Sequence, residues 1–154
     1  MNDSPVTSPT VLAMKHSFNA TPERVYRAWT DPQLMGEFLC PGEFVAKEVQ
    51  ADPSGGGTYR VVMEQTDGGE FVACGTYREL IPAERIACTW CWEEDDRKRD
   101  QQTMLTLGFK PLGDNMTELT LTQEHFRNEA QRSAHASGWA QCFTKLEVVL
   151  AQPG

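Results

Sequence analysis

Apolar positions follow two periods along this chain: short runs or alternations over residues 44–124, and a three-to-four-residue spacing over residues 128–150. Residues 1–9, with Pro5, Pro9 and several serines and threonines, read as a loose leader ahead of a single domain spanning residues 10–152. Thr10 to Phe18 has strand character and opens that domain. Thr21-Pro22-Glu23 then supplies an N-cap, a proline at the first helical position and an acidic first turn, with Val25, Ala28 and Trp29 following at helical spacing. Asp31-Pro32 repeats the signal, so the chain breaks after Thr30 and starts a second short helix carrying Leu34, Met35 and Phe38.

The middle of the chain predicts an antiparallel meander with strands at about Phe44–Ala51, Gly57–Gln65, Glu70–Leu80, Arg85–Glu93, Gln101–Phe109 and Thr117–Gln123. Turn chemistry separates them: Pro53 to Gly57, Asp67-Gly68-Gly69, Pro82 to Glu84, a charge run, and Gly113 to Asn115. Asn128 with Gln131 three residues on then offers a capping-box start, and His135, Trp139, Cys142, Phe143, Leu146, Val149 and Leu150 form one helical stripe. No internal repeat or linker marks a second unit. The expected class is α+β: a curved antiparallel sheet of about six to seven strands around a long C-terminal helix, with two short helices after the first strand.

Charge narrows the function classes. The 14 Lys and Arg against 22 Asp and Glu give a net charge of −8 with no basic stripe, so the electrostatic footprint of a nucleic-acid binder is missing. The dense run Glu93 to Asp100 mixes both signs and reads as a solvated hairpin tip. No segment reaches the ~18 apolar residues of a membrane span, and Met1 to Thr10 lacks the pattern of a signal peptide, which points to a cytoplasmic protein without membrane insertion. The five cysteines lack framework spacing, as expected where thiols stay reduced. Cys88 and Cys91 form a Cys-x-x-Cys pair inside a strand, where residues three apart point to opposite faces, so they do not suit one metal ion.

Strand alternation turns Tyr59, Val61 and Met63; Phe71, Ala73, Gly75 and Tyr77; Ile86, Cys88, Trp90 and Trp92; Leu105, Leu107 and Phe109; and Leu119, Leu121 and Gln123 toward the helix. Trp29, Phe38, Trp139 and Phe143 join them from the helices. Such an interior can line a pocket, but aromatics at this spacing more often form plain core. The polar members Tyr59, Tyr77, Glu79, Gln123 and His135 need partners once buried, whether a ligand oxygen, a bound water or one another. Arg60 and Arg78 belong to the outer face, in cross-strand pairs with acidic neighbours. The candidate ligand-binding set is Trp29, Phe38, Tyr59, Val61, Met63, Tyr77, Trp90, Leu105, Gln123, His135, Trp139 and Phe143. Neither a metal-ligand motif nor a nucleotide fingerprint occurs, so no cofactor is implied.

The blocks Phe18-Asn-Ala-Thr-Pro-Glu-Arg-Val-Tyr-Arg-Ala-Trp-Thr-Asp-Pro32, Gly56 to Met63, Asp67-Gly68, Gly75 to Ile86 with Thr89-Trp90, and Gly138-Trp139 with Leu146 resemble, in order and spacing, the SRPBCC superfamily. Within it the chain is similar to bacterial relatives of the C-terminal domain of the heat-shock-chaperone ATPase activator. The resemblance covers nearly the whole chain and implies the helix-grip fold, a sheet gripping a helix around a pocket. It does not imply one activity, because relatives bind lipids, hormones or polyketides, cyclise substrates, or serve chaperones. Where many relatives carry two tryptophans in the second helix this chain has Glu37-Phe38; where they carry a histidine in the last strand it has Gln123, with His125 in place of a glycine.

Three functions follow as expectations. The first is a binding protein for an apolar small molecule that enters between the long helix and the loops near Phe38 and Glu43. The second is a chaperone cofactor whose partner is a heat-shock chaperone. The third is an enzyme shuffling protons on a carbonyl compound, with His135 or Glu79 as base and Tyr77 as donor. A monomer and a homodimer both fit the acidic composition.

Overall fold

Thr21 and Asp31 start two helices in succession because each offers an oxygen to an orphan N–H of the turn it opens: Thr21 Oγ1 accepts from Arg24 N–H at 3.3 Å and Asp31 Oδ1 from Gln33 N–H at 2.9 Å. Pro22 and Pro32 occupy the first helical positions, where a missing N–H costs nothing. The computed structural model describes residues 8–93 and 102–152. In chain order these form β1 (Val11–Phe18), α1 (Pro22–Thr30), α2 (Pro32–Phe38), β2 (Val45–Ala51), β3 (Thr58–Glu64), β4 (Glu70–Ile81), β5 (Arg85–Trp92), β6 (Thr103–Pro111), β7 (Thr117–Glu124) and α3 (Glu129–Leu150). The leader up to Thr7, the charge run from Glu94 to Asp100 and the predicted strand start at Gln101 lie outside the described residues.

The seven strands form one antiparallel sheet in the order β1-β7-β6-β5-β4-β3-β2. Helices α1 and α2 carry the chain from the β1 edge to the β2 edge, and the rest is a meander returning to β1. The sheet curves around α3, whose Trp139, Phe143, Leu146 and Leu150 are buried against it. This is the expected α+β helix-grip arrangement.

Polar clamps fix α3 at both ends. Asn128 Oδ1 accepts from Gln131 N–H at 2.8 Å, and Gln131 Oε1 accepts from Arg127 N–H at 2.6 Å, closing a reciprocal cap. At the far end the Arg24 guanidinium donates to the carbonyls of Leu150 at 3.2 Å and Gln152 at 2.9 Å, where the orphan acceptors of the last turn favour a cation. Between them the Lys145 ammonium donates to the carbonyls of Cys40 and Phe44, which ties the loop after α2 to α3.

One expectation fails. Glu79 does not face inward: the β4–β5 register shifts between Tyr77, opposite Cys88, and Glu79, opposite Ala87. The extra residue inverts the alternation beyond it, so Leu80 packs on the core while Glu79 faces solvent, accepting from Arg85 at 2.6 Å. Arg60 does reach the outer face, in a two-bond pair with Glu93 at 2.8 and 3.0 Å. Cys88 and Cys91 point to opposite faces, the first buried against the Tyr59 hydroxyl and the second half-buried beside Cys74. No helix among the described residues is long and apolar enough to cross a membrane.

Candidate functional site

Large side chains from three strands and α3 leave a cavity of about 500 Å³ between the helix and the sheet. Its sheet wall is Met63 of β3, Phe71 of β4, and Trp90 and Trp92 of β5. Its outer lip is Leu39, Pro41 and Phe44, the loop that Lys145 anchors. The helix wall explains why space remains: Ala134, Gly138 and Cys142 recur every four residues on one stripe of α3, and each is small. A Cβ at Gly138 would stand 3.8 Å from the Pro41 ring, an ordinary contact, so that position is open for want of a side chain.

The cavity has one titratable base, and it is engaged. His135 Nδ1 lies 2.9 Å from the Gln131 carbonyl, which can only accept, so the proton sits on Nδ1. Nε2 is left as an acceptor and takes the Trp92 Nε1–H at 3.0 Å. Burial pushes the imidazole below its ordinary value, with the bond to Gln131 opposing the shift. His135 therefore has both nitrogens occupied, and Glu79, the other expected base, stands on the opposite face of the sheet, paired with Arg85. Burial also holds the Cys142 thiol protonated, at about 12.

Behind the main cavity, and sharing Leu39 and Trp90 with it, lies an inner void of about 20 Å³ bounded by Trp29, Tyr59, Tyr77 and Leu105 among others. Three of the residues that line it each carry a buried polar atom without a protein partner: Trp29 Nε1, Tyr77 Oη and Trp90 Nε1. Tyr59 differs because its hydroxyl donates to the Thr89 carbonyl. That contact depends on Gly75, directly across the β3–β4 ladder from Tyr59: a Cβ there would lie 2.5 Å from the hydroxyl and 1.9 Å from the Thr89 oxygen.

Of the predicted ligand-binding set, the fold brings Met63, Trp90, His135 and Trp139 to the main cavity, and Trp29, Tyr59, Tyr77 and Leu105 to the inner void, where Trp90 also contributes. Phe38, Val61, Gln123 and Phe143 line neither and are fully or almost fully buried. Phe38 stacks edge-on to Trp29 at 4.9 Å between ring centres. Leu39, Pro41, Phe44, Ala134, Gly138 and Cys142 line the cavity without having been expected there.

The family description that matches this chain is "Activator of Hsp90 ATPase homolog 1-like protein", over residues 19–151. The chain belongs to this family. No curated protein matches it. Among solved structures, a protein from Chromobacterium violaceum is 28% identical, with 94% of this chain and 100% of that one covered at a TM-score of 0.82. One from Rhodobacter sphaeroides is 25% identical, covering 96% of each chain at 0.80. An HSP90 activator from Plasmodium falciparum shares the fold at 19% identity, covering 94% of this chain and 98% of that one at 0.71.

Against the Hsp90-activator-like family pattern, the departures at Gln123 and His125 now have structural accounts. Gln123 is fully buried; its Oε1 accepts from Trp139 Nε1–H at 2.8 Å and its Nε2 donates to Thr103 Oγ1 at 2.9 Å. Thr103 in turn donates to the Trp90 carbonyl at 2.7 Å, so one amide links α3 to β7, β6 and β5 behind the cavity. His125 has φ +77°, the left-handed region where glycine is unstrained and a side chain is not.

Proposed function

We propose that this family member binds an apolar small molecule carrying one or two oxygen atoms. The observation that carries this reading is the cavity of about 500 Å³ between α3 and β3–β5, within the range typical of small-molecule sites. Burial alone supplies affinity there, since each 100 Å² of apolar surface taken from water stabilises the complex by about 2.5 kcal/mol. The inner void supports the oxygen: an indole N–H can only donate, so Trp29 and Trp90 suit an acceptor such as a carbonyl, carboxylate or phenolate oxygen, or the bound water that such an oxygen displaces. Native mass spectrometry of freshly purified protein, followed by a thermal-shift screen of apolar carboxylates, phenols and polyketide-like compounds, tests the proposal. A co-purifying molecule or a ligand-dependent rise in Tm is expected. A clean protein mass with no shift across the screen would sink it.

A second reading rests on the family match and the net charge of −8: the domain serves a heat-shock chaperone as a cofactor, with its acidic surface steering it to a basic patch. It predicts retention of a purified chaperone of the Hsp90 type at low salt, weakening as salt rises. Absence of retention at low salt removes this reading.

A further inference from the structure

On the face of the sheet turned away from the cavity, Cys74 of β4 and Cys91 of β5 stand directly opposite each other in the antiparallel register. Their Sγ atoms are 3.5 Å apart, and both side chains are half-buried, within reach of a small solute. Directly opposed residues of an antiparallel pair have Cα atoms about 4.5–5.5 Å apart, inside the span of about 4.4–6.8 Å that a disulfide bridges. A bond of about 2.05 Å therefore needs the sulfurs to close by roughly 1.5 Å, a side-chain movement. The other three cysteines are buried, and their thiols are held protonated, Cys40 at about 11 and Cys88 and Cys142 at about 12. Cys74 and Cys91 are only half-buried, and Arg60 lies across from Cys74 on β3, on the same outer face.

We infer that Cys74 and Cys91 are a dithiol modification site, converted reversibly to an intrachain disulfide by a small disulfide of the oxidised-glutathione class. The Cys74 thiolate attacks one sulfur of the oxidant, forming a mixed disulfide and expelling one thiolate, which takes up a proton. Cys91, having lost its own proton to solvent, attacks Cys74 Sγ; the protein disulfide forms and the second small thiolate leaves and is protonated. In total two electrons and two protons pass from the protein dithiol to the oxidant, which becomes two thiols.

The bridge would join β4 to β5 where their backbone ladder is interrupted. There Thr76 N–H is bonded to Thr89 Oγ1 at 2.8 Å and the Thr89 carbonyl is taken by Tyr59. Trp90 and Trp92, the residues flanking Cys91, face the cavity, so the cross-link would fix the strand that carries much of its wall.

The test is incubation of the full-length protein with oxidised glutathione, then alkylation, intact mass and peptide mapping. The wild type is expected to lose two hydrogens, to yield a Cys74–Cys91 cross-linked peptide, and to melt several degrees higher than its reduced form, all reversed by dithiothreitol. Cys91→Ser is expected to stop at one glutathione held on Cys74, and Cys74→Ser to lose the bridge. Five alkylatable thiols after treatment, a bridge between any other pair, a persistent glutathione adduct on the wild type, or a bridge that lowers Tm would each overturn the assignment.

Discussion

Trp92 donates its indole N–H to Nε2 of His135 across the cavity wall at 3.0 Å, and that bond exists only while the imidazole is neutral. The pH dependence follows from its sign. Burial lowers the pKa of His135 in the folded protein below the 6.5 of the free side chain, so on acidification the unfolded chain takes up the proton first. His135 leaves stability unaffected well above pH 6.5 and subtracts from it as pH falls from there toward the folded value. His135→Gln, which keeps an acceptor for Trp92, is expected to flatten that part of the profile. Urea unfolding of both proteins between pH 8 and 5 checks this, and parallel slopes would contradict it.

Gly138 keeps the helix wall open, and its substitution separates binding from folding. Alanine there meets Pro41 at an ordinary 3.8 Å and improves helix propensity, so Gly138→Ala should gain up to about 1 kcal/mol. Gly138→Leu carries a larger side chain into the cavity and should abolish any ligand-induced rise in Tm while leaving the far-ultraviolet circular dichroism unchanged. Thermal shift with a ligand found in the screen reads both outcomes.

Gly75 admits no side chain. A Cβ 1.9 Å from the Thr89 oxygen overlaps backbone that cannot rotate away, and at 2.5 Å it also displaces the Tyr59 hydroxyl. Gly75→Ala is expected to cost about 3 kcal/mol or more, seen as a lower urea midpoint, against less than about 1 kcal/mol for an exposed strand glycine changed the same way.

The elements were legible because their punctuation is local: Thr21-Pro22, Asp31-Pro32 and Asn128 with Gln131 cap helices at the positions they mark, and strand alternation turns Met63, Trp90 and Tyr59 inward as expected. Glu79 was misplaced because the bulge after Tyr77 carries no glycine or proline to announce it, yet one extra residue inverts every face beyond it. The cavity was legible only in part, for a related reason. A hydrophobic pattern marks the residues that fill space, such as Trp139 and Phe143; the void is made by Ala134, Gly138 and Cys142, whose small volumes leave no trace in such a pattern. Their spacing of four was the available signal. The Cys74–Cys91 pairing needed the register of two strands, which the sequence of neither contains.

Two side chains sit in the left-handed region without need. Ala83 in the β4–β5 turn has φ +64°, and His125, after β7, has φ +77°. There Cβ crowds the following carbonyl oxygen, and glycine removes the clash at the expense of greater freedom in the unfolded chain. The balance favours glycine by about 0.5–1 kcal/mol at such positions. Ala83→Gly offers the cleaner case because it deletes only a methyl group; His125→Gly also removes an exposed ring. Both should raise the urea midpoint without changing the slope of the transition, and the gains should add, since one residue lies in the β4–β5 turn and the other in the connection from β7 to α3. A loss of stability in Ala83→Gly would mean that the turn tolerates its alanine and that unfolded-state entropy decides the sign.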